Sequence, residues 1–136
     1  MITEQQKQQF KLLYTQCREV HIPVVREQTA DLLCSLIEKN QPKQILEIGT
    51  AVGYSGTLML LSCGKSNLTT LDTNAELCKR AEQTFAQYGV QDRVQIQNID
   101  ALEFFKNNTK QFDFIFLDGP KGQYIKYLPY LKQALT

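Results

Sequence analysis

The stretch that decides the fold is QILEIGTAVGYSG, residues 44–56. It begins as a short apolar strand at residues 45–48, breaks at Gly49, and continues after Gly53 as an apolar run that is compatible with a helix. A strand, a glycine turn and a helix form the corner at which doubly wound α/β sheets bind ligands, because the backbone there can approach a ligand closely. The sequence therefore predicts a ligand site at this turn.

The spacing of the glycines argues against a dinucleotide as that ligand. When G-x-G-x-x-G is aligned from Gly49, its second and third glycine positions hold Ala51 and Tyr54. The pattern E-x-G-x-x-x-G-x-S is filled at every position, by Glu47, Gly49, Gly53 and Ser55. This pattern resembles motif I of the class I methyltransferases that use S-adenosylmethionine (SAM). An ordinary glycine-rich turn between a strand and a helix is the alternative that this segment alone leaves open.

Composition and charge indicate an ordinary globular protein of one domain, residues 1–136. No apolar run approaches the roughly 20 residues of a membrane span, and the amino terminus lacks signal-peptide character. The four cysteines lack metal-finger spacing, which favours reduced thiols and a cytoplasmic location. A net charge of +1 gives no global basic surface for nucleic acid, and the single histidine, His21, has no partner that suggests a metal site.

Hydrophobic periodicity predicts strands that alternate with helices along the chain. Strands are expected at residues 45–48, 68–71, 94–97 and 112–117. Helices are expected at residues 5–20, 27–40, 54–63, from a capping box at 73–76 to residue 88, at 100–105 and at 124–135. The fourth strand is almost continuously apolar, which is typical of a strand buried on both faces of a parallel sheet. The predicted fold class is α/β.

Three acidic residues follow predicted strands: Asp72 and Asp118 directly, and Asp100 three residues after the strand that ends at residue 97. Open α/β sheets bind ligands at the carboxyl ends of their strands, so these acids are candidate site residues. Asp72 lies 23 residues beyond Gly49, near the separation of about 20 expected for a carboxylate that accepts hydrogen bonds from ribose hydroxyls. Two structural alternatives stay open, because Asp100 could only cap a helix and Asp72 could only form a turn.

The segment FDFIFLDGPKGQY, residues 112–124, narrows the family. Together with ILEIGTAVGYS at 45–55 and IPVV at 22–25, it resembles the metal-dependent O-methyltransferases. These include the catechol and caffeoyl-CoA type and bacterial relatives that act on 5-hydroxyuridine at the tRNA wobble position. The resemblance covers nearly the whole chain from Ile22 onward. It implies a Rossmann-like three-layer α/β/α fold with a mostly parallel sheet, of which this chain holds four strands in the order 3-2-1-4.

The same resemblance implies the roles of individual residues. Lys121 would be catalytic, helping to deprotonate the acceptor hydroxyl, although a solvated turn lysine is the alternative without the motif. Asp118 would ligate a divalent cation, with Mg²⁺ expected. Ser55 would contact the methionine part of SAM, Asp72 its ribose, and Asp100 and Ala101 its adenine. The full set of implied cofactor contacts is Val25, Glu47, Gly49, Gly53, Ser55, Asp72, Asp100, Ala101 and Asp118.

The chain also departs from the family pattern. The family's remaining metal ligands are an Asp-Asn pair after a fifth strand, and no Asp-Asn dipeptide occurs in this sequence. Asp118 alone cannot hold Mg²⁺, which needs octahedral coordination by several oxygen atoms. We therefore expect a methyltransferase domain that is truncated after its fourth strand, with an incomplete cation site and negligible methyl transfer by the chain itself.

The sequence thus predicts a SAM-dependent O-methyltransferase, cation-assisted in its full-length form. The expected acceptor is a hydroxyl of an aromatic small molecule or of 5-hydroxyuridine in tRNA. A non-catalytic SAM-binding module, or a split or decayed partner of a methyltransferase, is the alternative. A dinucleotide-binding oxidoreductase is a third reading, which the missing G-x-G-x-x-G disfavours. We expect no membrane partner. We do expect a homodimer or aggregate, because a fourth strand without a neighbour would be an apolar edge.

Overall fold

The computed structural model describes residues 3–6, 8–9, 27–118 and 124–136, and residues 4–6 and 8–9 are helical. Five helices follow: α1 (Glu27–Asn40), α2 (Tyr54–Ser62), α3 (Ala75–Gln87), α4 (Ala101–Asn107) and α5 (Tyr124–Ala134). The four strands are β1 (Gln44–Ile48), β2 (Asn67–Leu71), β3 (Val94–Gln97) and β4 (Phe114–Leu117), with a short 3-10 helix, Gln91–Arg93, before β3. The predicted alternation of strands and helices is confirmed from α1 onward; most of the helix predicted at 5–20 lies outside the described residues.

The four strands form one parallel sheet in the order β3-β2-β1-β4, which confirms the predicted order. Glu47 in the central strand lies in register with Thr70 of β2 and with Phe116 of β4. In a parallel sheet all carboxyl ends meet at one edge, so the turn that starts at Gly49 lies at the same edge as Asp72. We call this the carboxyl edge of the sheet.

Helices cover both faces of the sheet. On one face, Ile45 and Leu68 pack in a cluster with Ile37 of α1, Met59 of α2 and Phe85 of α3. On the other face, the neighbouring strand residues pack against α4 and α5, in a cluster that contains Leu46, Leu71, Phe104, Phe105 and Tyr127. Successive strand residues thus alternate between two apolar layers. This arrangement is the predicted three-layer α/β/α fold.

Side-chain caps define where two helices begin. Asn74 accepts a hydrogen bond from the Leu77 N–H at the start of α3, and Asp100 accepts one from the Leu102 N–H at the start of α4. The predicted capping box starts at residue 73, whereas the cap is Asn74, so this prediction is wrong by one residue. The physical reason is an Asx turn, since Asp72 Oδ1 accepts the Asn74 N–H at 2.9 Å and sets the backbone so that Asn74 becomes the cap.

The fourth strand is shorter than predicted. The Asp113 carboxylate accepts the main-chain N–H groups of Lys43 and Gln44, both at 2.9 Å, so the chain bends there and β4 begins at Phe114. The main chain of Phe112 pairs instead with the end of α5, receiving the Thr136 N–H at 2.9 Å and donating to Ala134 at 2.7 Å. The expectation of a bare edge from residue 112 is thus wrong at its start.

Two further findings concern membrane-spanning helices and the cysteines. Within the described part of the chain, no helix has the length and apolar character of a membrane span. The described cysteines Cys34, Cys63 and Cys78 are free thiols.

Candidate functional site

The glycine turn after β1 folds over the end of β2. The N–H groups of Gly49 and Thr50 both donate to the Leu71 carbonyl, at 2.8 and 3.1 Å. Gly49 and Gly53 have φ of +108° and +84°, and Ala51 between them has φ of +48°. Positive φ is usual for glycine but uncommon for alanine, so Ala51 needs support from its surroundings. The turn is therefore a strained segment held by specific hydrogen bonds.

Asp72 supplies part of that support. Its Oδ2 accepts the main-chain N–H of Ala51 at 3.0 Å, while Oδ1 accepts that of Asn74. The side chain is half-buried. A carboxylate has about four acceptor positions, so two of them stay available to donors from a ligand. The structure thus brings Asp72 to the glycine turn; its contact with a ribose stays a prediction.

Glu47 lies beneath the turn with no exposed surface. Its carboxylate accepts hydrogen bonds from the hydroxyls of Ser55 and Thr70, the second at 2.7 Å. The pKa of Glu47 is raised to about 7: burial raises it most, the hydroxyls of Ser55 and Thr70 lower it, and the charges of Asp118 and Asp72 raise it. In this conformation Glu47 reaches the site through its hydroxyl partners, and its predicted direct contact with a cofactor is untested.

Ser55 lies in the first turn of α2, directly above Glu47. It is 5% exposed, and its hydroxyl donates to Glu47. Gly53 is the N-cap of this helix, and no side chain among the described residues caps it with a hydrogen bond. Uncapped N–H groups and the helix dipole make such a terminus favourable for a negatively charged group. The start of α2 therefore combines a buried hydroxyl with a positive end of a helix at the carboxyl edge.

The loop after β3 lies beside the loop after β2. Asn98 donates its side-chain N–H to the Asp72 carbonyl at 2.9 Å, and Ile99 donates its main-chain N–H to the same oxygen at 3.1 Å. Asp100 is exposed and caps α4, and Ala101 after it is buried. The capping role that the sequence left open for Asp100 is thus present, and its predicted contact with adenine stays untested.

Asp118 is exposed and follows β4 directly, where its N–H donates to the Ile48 carbonyl at 2.8 Å. This bond places it next to the start of the glycine turn. Across residues 3–6, 8–9, 27–118 and 124–136, no group of three or more His, Cys, Asp or Glu is placed to hold a metal ion. The other predicted site residues, Val25 and Lys121, lie outside the described residues, as does His21.

Two site residues, Thr50 and Thr70, were not predicted from the sequence. Their hydroxyl oxygens are 2.8 Å apart, and Thr70 also bonds to Glu47. A signal was present, because a glutamate within an apolar strand needs hydrogen-bond donors when it is buried. Which donors it finds depends on the register between β1 and β2, and a single sequence does not reveal that register.

Comparison with known proteins shows one family. A family model described as O-methyltransferase matches residues 4–135. O-methyltransferase hkm8 from Aspergillus hancockii is 32% identical over 101 residues, which are 70% of this chain and 38% of that protein. Catechol O-methyltransferase B from Danio rerio is 32% identical over 108 residues, 74% of this chain and 40% of that protein. The chain thus spans about two fifths of the length of these curated relatives.

Solved structures give the same picture. A candidate caffeoyl-CoA O-methyltransferase from Staphylococcus aureus superposes with a TM-score of 0.85 at 34% identity, covering 93% of this chain and 61% of that one. The O-methyltransferase TomG from Streptomyces achromogenes, solved in complex with SAM, superposes with a TM-score of 0.79 at 26% identity, covering 88% and 57%. The matched regions leave a large part of each of these proteins without a counterpart in the present chain.

Proposed function

The chain belongs to the O-methyltransferase family, and we propose that residues 1–136 form one domain, the cofactor-binding part of a SAM-dependent O-methyltransferase. One arrangement carries the proposal: the glycine turn, the buried Glu47–Ser55 pair and Asp72 meet at the carboxyl edge of the sheet. Open α/β sheets bind their ligands at this edge. The complex of TomG with SAM supports the choice of ligand.

The parts of SAM match the groups at this edge. The methionine carboxylate would lie at the start of α2, where the helix dipole and the uncapped N–H groups favour negative charge. Ser55 would contact the same end of the ligand, and Val25 is the proposed lining residue there. Gly49 carries no side chain, so it would let the ligand approach the backbone. A Cβ at Gly53 would lie 3.2 Å from the Cα of Ala81 and 3.3 Å from the Phe85 ring, so glycine there lets the turn pack against α3, and Gly53 would meet the ligand through its backbone.

The nucleoside half of SAM would lie across the ends of β2 and β3. Asp72 holds the turn with one hydrogen bond per oxygen, which leaves acceptor positions for the two ribose hydroxyls. Asp100 and Ala101, at the start of α4, would flank the adenine ring. Hydrogen bonds from Asn98 and Ile99 to Asp72 support this placement, because they bring the two loops together.

Methyl transfer from the sulfonium of SAM is an in-line displacement that needs an acceptor oxygen close to the methyl carbon. The methyl carbon bonds to the acceptor oxygen, its bond to sulfur breaks, and the acceptor proton must leave. Lys121 is the proposed proton acceptor, as the resemblance implies. A lysine can take this part when its pKa is lowered.

The described residues do not make up a complete site for a divalent cation. Mg²⁺ needs about six oxygen ligands, whereas no cluster of three candidate ligands occurs among the described residues. Asp118 stays the proposed ligand of such a cation, which would lower the pKa of the acceptor hydroxyl when bound.

We propose a hydroxylated aromatic small molecule as the acceptor and the cytoplasm as the location. Relatives from Danio rerio and Niastella koreensis are named catechol O-methyltransferases, which supports this acceptor class. A 5-hydroxyuridine in tRNA is the second acceptor candidate. A net charge of +1 favours the small molecule, because tRNA binding depends on basic surface.

A non-catalytic SAM-binding module is the second candidate function. The observation that favours it is the contrast between the well-connected glycine turn and the missing cation cluster among the described residues. Transfer of labelled methyl groups to catechol or 5-hydroxyuridine separates the two candidates, since a binding module would hold SAM without turnover.

A homodimer is proposed through the outer face of α5. Ile125 and Leu128 on this helix are 80% and 52% exposed, which is unusual for large apolar side chains that lie close together. Light scattering over a concentration series tests the dimer, with Ile125→Glu expected to shift the protein to a monomer. Leu32→Glu on α1, across the sheet, is the control that should leave the mass unchanged.

Calorimetric titration with SAM, with S-adenosylhomocysteine (SAH) and with NAD tests the cofactor. We expect binding of SAM and SAH and none of NAD. Binding of NAD alone would contradict the proposal and favour an oxidoreductase.

A further inference from the structure

Thr70 links the glycine turn to the buried carboxylate. Its Oγ1 lies 2.8 Å from Oγ1 of Thr50, in the turn, and 2.7 Å from Oε1 of Glu47. None of these three residues has any exposed surface. Thr70 is in register with Glu47 on the neighbouring strand, so the bond to the carboxylate crosses directly between β2 and β1.

The number of hydroxyl hydrogens determines which oxygen is the donor in each of these hydrogen bonds. A threonine hydroxyl has one hydrogen, and that of Thr70 is donated to Glu47. When Glu47 is a carboxylate, the bond between the two threonines must then be donated by Thr50. Glu47 receives a second hydroxyl, that of Ser55, on its other oxygen. One buried carboxylate thus ends two hydrogen-bond chains, one from the glycine turn and one from the start of α2.

Removal of the Thr70 hydroxyl would disturb both chains. The Thr50 hydroxyl would keep a hydrogen with no acceptor in a place that water does not reach, and Glu47 would lose one of its two hydroxyl donors. A buried polar group without a partner is costly, so Thr50 would turn elsewhere. The next residue, Ala51, has a strained φ and bonds to Asp72, so the change would reach that carboxylate as well.

We infer that Thr70 is a positioning residue, which through Thr50 and Glu47 sets the glycine turn and the Ser55 hydroxyl in the arrangement that receives the cofactor. The inference rests on the proposed function for the identity of that cofactor. Thr70 has no exposed surface of its own, so it acts through these neighbours and does not touch the ligand.

The test compares three variants of β2. Thr70→Val keeps the shape of the side chain and removes the hydroxyl, whereas Thr70→Ser keeps the hydroxyl. Thr69→Val is the matched control, because Thr69 is the neighbouring residue of β2, is also buried, and lines a cavity on the opposite face of the sheet. The Kd for SAH is measured by calorimetry below the unfolding temperature of every variant. We expect about 10- to 100-fold weaker binding for Thr70→Val and changes under about threefold for the other two.

Amide hydrogen exchange without ligand gives a second readout. The Ala51 and Gly53 N–H groups are bonded to Asp72 and to the Thr50 carbonyl, so we expect slow exchange in the unmodified protein. Exchange should accelerate at both amides in Thr70→Val and stay slow in Thr69→Val. If Thr70→Val does not fold, Thr50→Val removes the other end of the same bond and should show the same two effects.

Unchanged SAH affinity and unchanged exchange in Thr70→Val would overturn the inference. An equal loss of affinity in Thr69→Val would also overturn it, because the effect would then be one of sheet packing. If the unmodified protein binds no SAH, the proposed function fails. Slow amide exchange at Ala51 in Thr70→Val, which is measured without ligand, would show independently that Thr70 does not hold the turn.

Discussion

The main-chain N–H of Ala51 donates to the carboxylate of Asp72 at 3.0 Å, and this bond joins the turn after β1 to the end of β2. Ala51 has φ of +48°, a conformation that costs energy for a residue with a Cβ. The carboxylate that we propose for the ribose therefore also holds a strained turn. A change at Asp72 should affect both ligand binding and stability.

We expect Asp72→Ala to weaken SAH binding by about 1.5–3 kcal/mol, because a charge-assisted pair of hydrogen bonds to the ribose is lost. Unfolding in urea should show a smaller free energy as well, since the Ala51 N–H loses its acceptor. Calorimetry and urea titration measure the two effects. Asp92→Ala is the control, as Asp92 is exposed in the short 3-10 helix before β3. SAH affinity equal to that of the unmodified protein would remove Asp72 from the site.

Glu47 makes the stability depend on pH. Burial is the main reason why its pKa rises from the ordinary value of 4.5 to about 7 in the folded protein. Between these two pH values the folded state holds a proton that the unfolded chain has lost. Stability from this group is present below about pH 4.5 and is lost as the pH rises to about 7, at up to about 1.4 kcal/mol per pH unit.

Glu47→Gln should flatten this pH dependence, because an amide does not titrate. The test is urea unfolding at a series of pH values between about 5 and 8. Glu76→Gln on α3, which is exposed, is the control that should keep the slope of the unmodified protein. An identical slope in Glu47→Gln would show that another group causes the dependence.

Gly56 allows α2 to pack closely on the sheet. A Cβ at this position would lie 2.9 Å from a Leu68 methyl and 3.1 Å from the Phe85 ring. We expect Gly56→Ala to lower the free energy of unfolding by about 1–3 kcal/mol through overpacking. Gly64→Ala is the matched control, because a Cβ there meets nothing within 4 Å, and its effect should stay within about 0.5 kcal/mol. Equal effects of the two variants in urea unfolding would contradict this account of the packing.

Lys121, the proposed base, should affect turnover more than cofactor binding, and a divalent cation should not affect the binding of SAH. In any form of the protein that methylates a catechol, Lys121→Ala should lower kcat by about 10²–10⁴-fold with little change in SAM affinity. SAH binding by the present chain should be the same with EDTA and with Mg²⁺, since the proposed contacts of the cofactor are hydrogen bonds to Asp72 and to the start of α2. Normal kcat in Lys121→Ala would refute its role, and loss of SAH binding in EDTA would show a cation in the cofactor site.

Local signals explain what the sequence predicted well. Periodicity placed each strand and each helix from α1 to α5 within about two residues, apart from the ends adjusted by caps and bends, but it did not predict the short 3-10 helix Gln91–Arg93. The strand order came from the family resemblance, and the structure confirms it. The glycine turn and Asp72 were placed correctly beside each other, because parallel strands bring their carboxyl ends to one edge.

Contacts between distant residues explain what the sequence did not show. Asp113 bends the start of the fourth strand by binding main-chain groups of Lys43 and Gln44, 70 and 69 residues away. The Thr50–Thr70–Glu47 chain likewise joins two strands and a turn through the register of the sheet. Neither contact leaves a local pattern in the sequence, so both needed the three-dimensional arrangement.

The pairing of Thr136 with Phe112 has a practical consequence for biosensor work. Phe112 precedes β4, so this contact holds Thr136 at the opposite end of the strands from Asp72 and the glycine turn. A protein tethered to a chip through Thr136 should therefore present its glycine turn to the buffer. A fluorophore attached to the same residue would also lie away from the carboxyl edge of the sheet, so it would not obstruct the binding of a nucleoside there.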